Sequence, residues 1–122
     1  MPPSLPRLLP NAFLGLLLIA LTLSAPLIAQ TADPAADGLL AEARRLVAAG
    51  DADGALRELG LLVERFAQDR HAPTAWLEIA RLRRDRGEKT AAIAAIERLA
   101  ADFPRAPANA EAQVLRLSLI HI

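Results

Sequence analysis

Two stretches decide how this chain folds: Gly50-Asp51-Ala52-Asp53-Gly54-Ala55 and Gly87-Glu88-Lys89-Thr90-Ala91-Ala92, one pattern displaced by 37 residues. The same displacement carries Phe66 onto Phe103. A period of 20 to 50 residues means units that cannot bury their apolar faces alone and stack on neighbours, which is how solenoids are built. Such assemblies bind partners far more often than they catalyse. The expected fold is all-α, with antiparallel helix-turn-helix repeats stacked as an α-solenoid.

Working outward from the repeat, the apolar positions follow helical periodicity throughout. Leu39, Leu40, Ala43, Leu46 and Val47 mark a first amphipathic helix that Gly50 closes in the manner of a C-terminal cap. A second is expected from about Asp53, read as its N-cap, through Ala55, Leu56, Leu59, Leu62, Val63 and Phe66, ending near Ala67 or Gln68. After the polar break Asp69 to Pro73, a third carries Trp76, Leu77, Ile79, Ala80 and Leu82 and stops at Gly87. The fourth carries Ala92, Ile93, Ile96, Leu99 and Ala100 up to Phe103-Pro104, and Pro107 opens a fifth. No segment alternates as a strand would.

Composition bounds the chemistry. The 122 residues allow one domain, and 53% hydrophobic residues with only 3% aromatics describe a core of Ala, Leu, Ile and Val, suited to closely packed helices. Thirteen arginines and one lysine balance 14 carboxylates, so no net field attracts nucleic acid. There is no cysteine, hence no disulfide, no thiolate metal site and no lipid-bearing cysteine.

At the N-terminus, Arg7 precedes an apolar run from Ala12 to Leu23 and a small residue at Ala29, the layout of a secretory signal peptide over residues 1–29. The alternative is an uncleaved anchor, Ala12 to Ala29, interrupted by Pro26 and short for a ~30 Å hydrocarbon core. Both place the repeats outside the cytoplasm. The Ala, Arg, Leu and Pro bias suggests a GC-rich bacterial genome and therefore a periplasmic or secreted location. Residues 30–37, with Pro34 and acidic side chains, read as a linker ending in an N-cap, and residues 38–116 as about two and a half repeats.

The final six residues, Leu117-Ser118-Leu119-Ile120-His121-Ile122, can be encoded by CTG-TCT-CTT-ATA-CAC-ATC, the end of a transposon-based sequencing adaptor. They also break the Ala/Arg/Glu-rich texture at that point. The expectation is a cloning or assembly artefact, with the natural chain continuing past Arg116 as part of a longer protein; the alternative is a genuine apolar continuation of a helix.

Paired helices, a glycine-marked turn and a closing aromatic-proline resemble the tetratricopeptide repeat. The second unit matches through Trp76, Ile79, Ala80, Gly87, Ala92 and Pro104, and the first through Leu39, Ala43, Gly50-Asp51 and Ala55, with Ala67 where the proline would stand. Small residues at Ala43 with Ala55, and at Ala80 with Ala92, let paired helices approach. Departures are Leu46 and Arg83 at the usual tyrosine position and a period of 37 rather than the usual 34, the extra residues being assigned to Asp69 to Ala72. The lengthened units and the ending Phe103 to Ala112 look like those of bacterial envelope proteins of the Tol-Pal coordinator and outer-membrane assembly types. The missing lipid-carrying cysteine counts against the lipoprotein.

That resemblance implies a scaffold whose concave face, lined by the first helix of each unit, holds a protein or peptide partner in the cell envelope. On it the sequence places Leu40, Arg44, Leu77, Arg81 and Arg84: the arginines as carboxylate-binding groups, the leucines as apolar anchors. The competing reading is a solvated face on which Arg81 pairs with Glu78 or Asp85. Trp76 is read as interhelix packing. Between Gln30 and Arg116 there is no Ser, Cys or Tyr and one His, so the parts of a nucleophilic triad or a His-based metal site are missing, and neither catalysis nor a cofactor nor a metal is expected. Asp51-x-Asp53-Gly54 lacks the later ligands of a calcium loop and reads as a turn and cap. Asp33 and Asp37 read as solvated, and His71 as a surface residue. Two alternatives stand beside the scaffold: a targeting region of a longer envelope enzyme or export component, and self-association through the open end of the stack.

Overall fold

The computed structural model describes residues 32–121, and these form five helices with no strand among them: α1 (Pro34–Ala48), α2 (Ala52–Arg65), α3 (Ala72–Asp85), α4 (Lys89–Asp102) and α5 (Ala108–His121). The expected signal segment lies outside the described residues, and no described helix is long and apolar enough to cross a membrane. The protein is all-α, as its periodicity indicates.

The two glycines of the repeat do identical work. Gly50 (φ 81°) and Gly87 (φ 77°) are the positive-φ residues among those described, a conformation that costs a side-chain-bearing residue about 1 kcal/mol or more. After α1, the Gly50 amide donates to the Val47 carbonyl (3.0 Å) and that of Asp51 to Leu46 (2.9 Å). After α3, Gly87 donates to Arg84 (2.9 Å) and Glu88 to Arg83 (2.8 Å), the same six-to-one and five-to-two bonds of a Schellman cap. Phe66 and Phe103 likewise end α2 and α4, their amides donating to Leu62 (2.8 Å) and Leu99 (2.9 Å).

The 37-residue displacement holds in the interior as well as in the turns. Leu40 and Leu77, Ala43 and Ala80, Ala55 and Ala92, Leu59 and Ile96, Leu62 and Leu99 are all buried pairs. Ala43 and Ala55 share a first core cluster with Ala36, Leu40, Leu59, Leu62, Ala72, Ala75 and Leu82. Ala80 and Ala92 share a second with Leu77, Ala95, Ile96, Leu99, Ala112, Leu115 and Leu119. Ile79, in the middle of α3, and Phe103, at the end of α4, pack against both, so the two clusters are continuous. Each helix packs on the next, and α3 also packs on α5.

Three boundaries differ from the sequence reading. First, α1 begins at Pro34, inside the expected linker, because Asp33 caps it: its carboxylate accepts from the Ala35 amide (2.8 Å) and Pro34, lacking an amide hydrogen, fits the first turn. Asp37 therefore lies in the first turn of α1. Second, the cap of α2 is Asp51, whose Oδ1 accepts from Gly54 (2.9 Å), while Asp53 lies in the first turn. Gly54 is buried because that carboxylate lies over it, where a Cβ would collide. In the second copy Glu88 is the cap residue and makes no such bond, and Ala91 fits where Gly54 stands. Third, α2 ends at Arg65, two residues short of Ala67. Pro104 follows the α4 cap as an exposed turn residue, and the segment from Leu117 continues α5 with Leu119 buried and Leu117 and Ile120 exposed.

Candidate functional site

The arginines singled out from sequence lie on α1 and α3. Arg44, on the exposed side of α1, makes no ion pair among the described residues. Its repeat partner Arg81 lies at the α3–α5 junction: Nη1 donates to Glu78 Oε1 (3.0 Å) and Nη2 contacts Glu111 Oε1. One turn on, Arg84 pairs with Asp85 (2.9 Å). Arg81, Arg84, Glu111, Val114, Leu115 and Ser118 line a cavity of about 240 Å³. The structure thus brings Arg81 and Arg84 together and leaves Arg44 on a separate helix. Local pairing was anticipated for Arg81 with Glu78; the Asp85 alternative goes to Arg84, and Glu111 was missed because it lies 30 residues away in sequence.

Leu40 and Leu77 require correction. They are only 4% and 6% exposed and belong to the core clusters, so neither is available to anchor a partner's side chain. Helical periodicity places a leucine on a face; it does not say how closely the next helix covers that face. Among the structural positions, Trp76 packs partly buried against the second cluster, with the Arg98 guanidinium 5.6 Å from its ring centroid, a cation–π arrangement.

The polar feature that the sequence reading missed is a clasp around Asp69, a carboxylate only 7% exposed. It accepts from the Asp33 amide (2.6 Å), the His71 amide (2.8 Å) and pairs with His71 Nδ1 (2.9 Å). The other imidazole nitrogen, Nε2, faces Asp37 Oδ1 at 3.3 Å. His71 is therefore not a free surface residue: it is the N-cap position of α3, tied on one side to the α2–α3 loop and on the other to α1. Asp33 and Asp37 are likewise engaged. Burial alone pushes the Asp69 carboxyl pKa up, but the hydrogen bonds from His71 and Asp33 outweigh it and hold the group below its ordinary value. The α2–α3 loop residues Asp69 and His71 thus pin the start of α1 to the start of α3. An Asp two positions before a His, ahead of a helix-opening Ala-Pro, was the available signal.

On α1 itself, Arg45 donates twice to Glu42 (2.9 and 2.6 Å), a hydrogen-bonded pair that lowers the glutamate pKa and raises that of the arginine. Among the described residues no group of three or more His, Cys, Asp or Glu side chains has the placement to hold a metal ion. Comparison with protein families, with curated proteins and with solved structures found no match.

Proposed function

We propose that this protein is an exported, tetratricopeptide-like α-solenoid that acts as a protein-interaction scaffold in a bacterial cell envelope, presenting the α1 and α3 arginine face to a partner segment. The observation that carries this reading is the 37-residue recurrence of both Schellman glycines and five buried positions, the hallmark of stacked equivalent hairpins. Arg44 and Arg84 are the accessible cations of that face, and the Arg81 pairs with Glu78 and Glu111 are partly exposed, so a partner carboxylate exchanges with them at small cost. The partner is a protein or peptide with acidic side chains. Export rests on the layout of residues 1–29 and places the scaffold in the periplasm or outside the cell.

A photo-crosslinking residue introduced separately at Arg44 and Arg84, with Glu64 on the exposed side of α2 as control, tests the proposal in the envelope of producing cells. The expected result is one shared adduct from the first two positions and none from the third. Adducts of equal pattern from all three, or none at all, refute the arginine-face reading.

A further inference from the structure

A second surface lies on the other side of α3. Trp76, Ile79 and Arg83 of α3 and Ala91, Ala94, Ala95 and Arg98 of α4 line an open groove of about 360 Å³, within the ~300–1,000 Å³ range of ligand sites. At 100° per residue, Ile79 and Arg83 stand about 160° around the helix from Arg81, so this groove and the arginine face are separate surfaces.

Three observations distinguish it from ordinary packing. First, its depth comes from residues the repeat does not require: under the 37-residue shift, Ile79, Ala94 and Ala95 correspond to Glu42, Arg57 and Glu58. The second hairpin has alanines where the first has long charged side chains. Second, the floor is a half-buried tryptophan and isoleucine, an apolar area of the kind that carries binding energy. Third, the charged groups that line it are Arg83 and Arg98, one on each helix, with no carboxylate among the lining residues. Their intramolecular partners, Glu88 for Arg83 (2.5 Å) and Asp102 for Arg98 (2.6 Å), stand outside that lining. The exposed Arg98–Asp102 pair contributes little, whereas the Arg83–Glu88 pair is half-buried, so a ligand's carboxylate exchanges most readily at Arg98.

The geometry points to a docking site for a peptide segment whose apolar side chain seats on Trp76 and Ile79 between the alanines, with flanking acidic residues paired to Arg83 and Arg98. The apolar contact supplies affinity, and the two guanidinium groups select acid-flanked segments over basic ones. Trp76 is the chain's single tryptophan, so occupancy reports directly in its fluorescence.

The test is selection of a random peptide library on the full chain, with the selected peptides then titrated against the wild-type chain and the A94F, R98E and R81E variants. Ala94 is exposed, so A94F fills the groove without entering the core, and far-ultraviolet circular dichroism checks that each variant is folded. The expected result is enrichment of an apolar residue flanked by Asp or Glu, a shift in Trp76 emission on binding, and affinity losses of about tenfold or more for A94F and R98E with none for R81E. Peptides sensitive to R81E but not to A94F overturn this proposal while supporting the arginine face. Selected peptides without acidic residues, or no peptide whose binding A94F abolishes, overturn it outright.

Discussion

Replacing Asp69 tests whether the clasp is a principal tie between the two hairpins. Its buried carboxylate accepts two backbone amides and faces the His71 ring. Hydrogen bonds to a charged acceptor contribute about 1.5–3 kcal/mol each, but the three share one group and do not add, so Asp69→Ala is expected to cost about 3 kcal/mol. Asp69→Asn keeps an acceptor oxygen and loses the charge, and should cost about 1–2 kcal/mol. For a folded unit of this size each kcal/mol lowers Tm by about 4–8 °C, which places the D69A loss at roughly 12–24 °C. The pH dependence adds a second constraint. The folded-state pKa of Asp69 lies below its ordinary value of 3.8, so its contribution is complete above that value and is lost as pH falls through the folded one. Thermal melts of wild type and D69N should therefore differ at pH 7 by a gap that shrinks once the pH falls below about 4. Equal Tm values at pH 7 would show that the clasp is not holding α1 to α3.

Further predictions follow from the core, the turns and the arginine face. Ala80 is fully buried in the second core cluster, which also holds Ala92, so Ala80→Leu overpacks the α3–α4 contact and costs about 1–3 kcal/mol; wild-type denaturant stability would refute this. Gly87→Ala forces a Cβ into the left-handed conformation that the α3 cap requires and costs about 1–2 kcal/mol, measurable by chemical denaturation, although nothing crowds the position sterically. Arg81→Glu sets a third carboxylate beside Glu78 and Glu111 and should weaken an acidic partner of the arginine face with helicity unchanged. Unchanged affinity by calorimetry would make Arg81 a solvated-face residue only.

Helix number, turn positions and the small residues at Ala43, Ala55, Ala80 and Ala92 were all legible in the chain, because they depend on local physics: apolar spacing at 3.6 residues per turn, and a glycine where the backbone must turn left-handed. What misled the linear reading were choices between neighbours. Asp33 and Asp37, or Asp51 and Asp53, are equally good cap residues by type, and only the geometry of the first turn selects Asp33 and Asp51.

The tertiary structure decided everything that depends on residues far apart in sequence. It turned Leu40 and Leu77 from surface anchors into core, set Glu111 against Arg81, and closed Asp69 over the Asp33 amide 36 residues away. Periodicity determines which side of a helix is apolar, since that is a property of one helix alone. How much of that side is covered, and which charges meet across the gap, depends on where the next helix lies, and no spacing within a single helix carries that information.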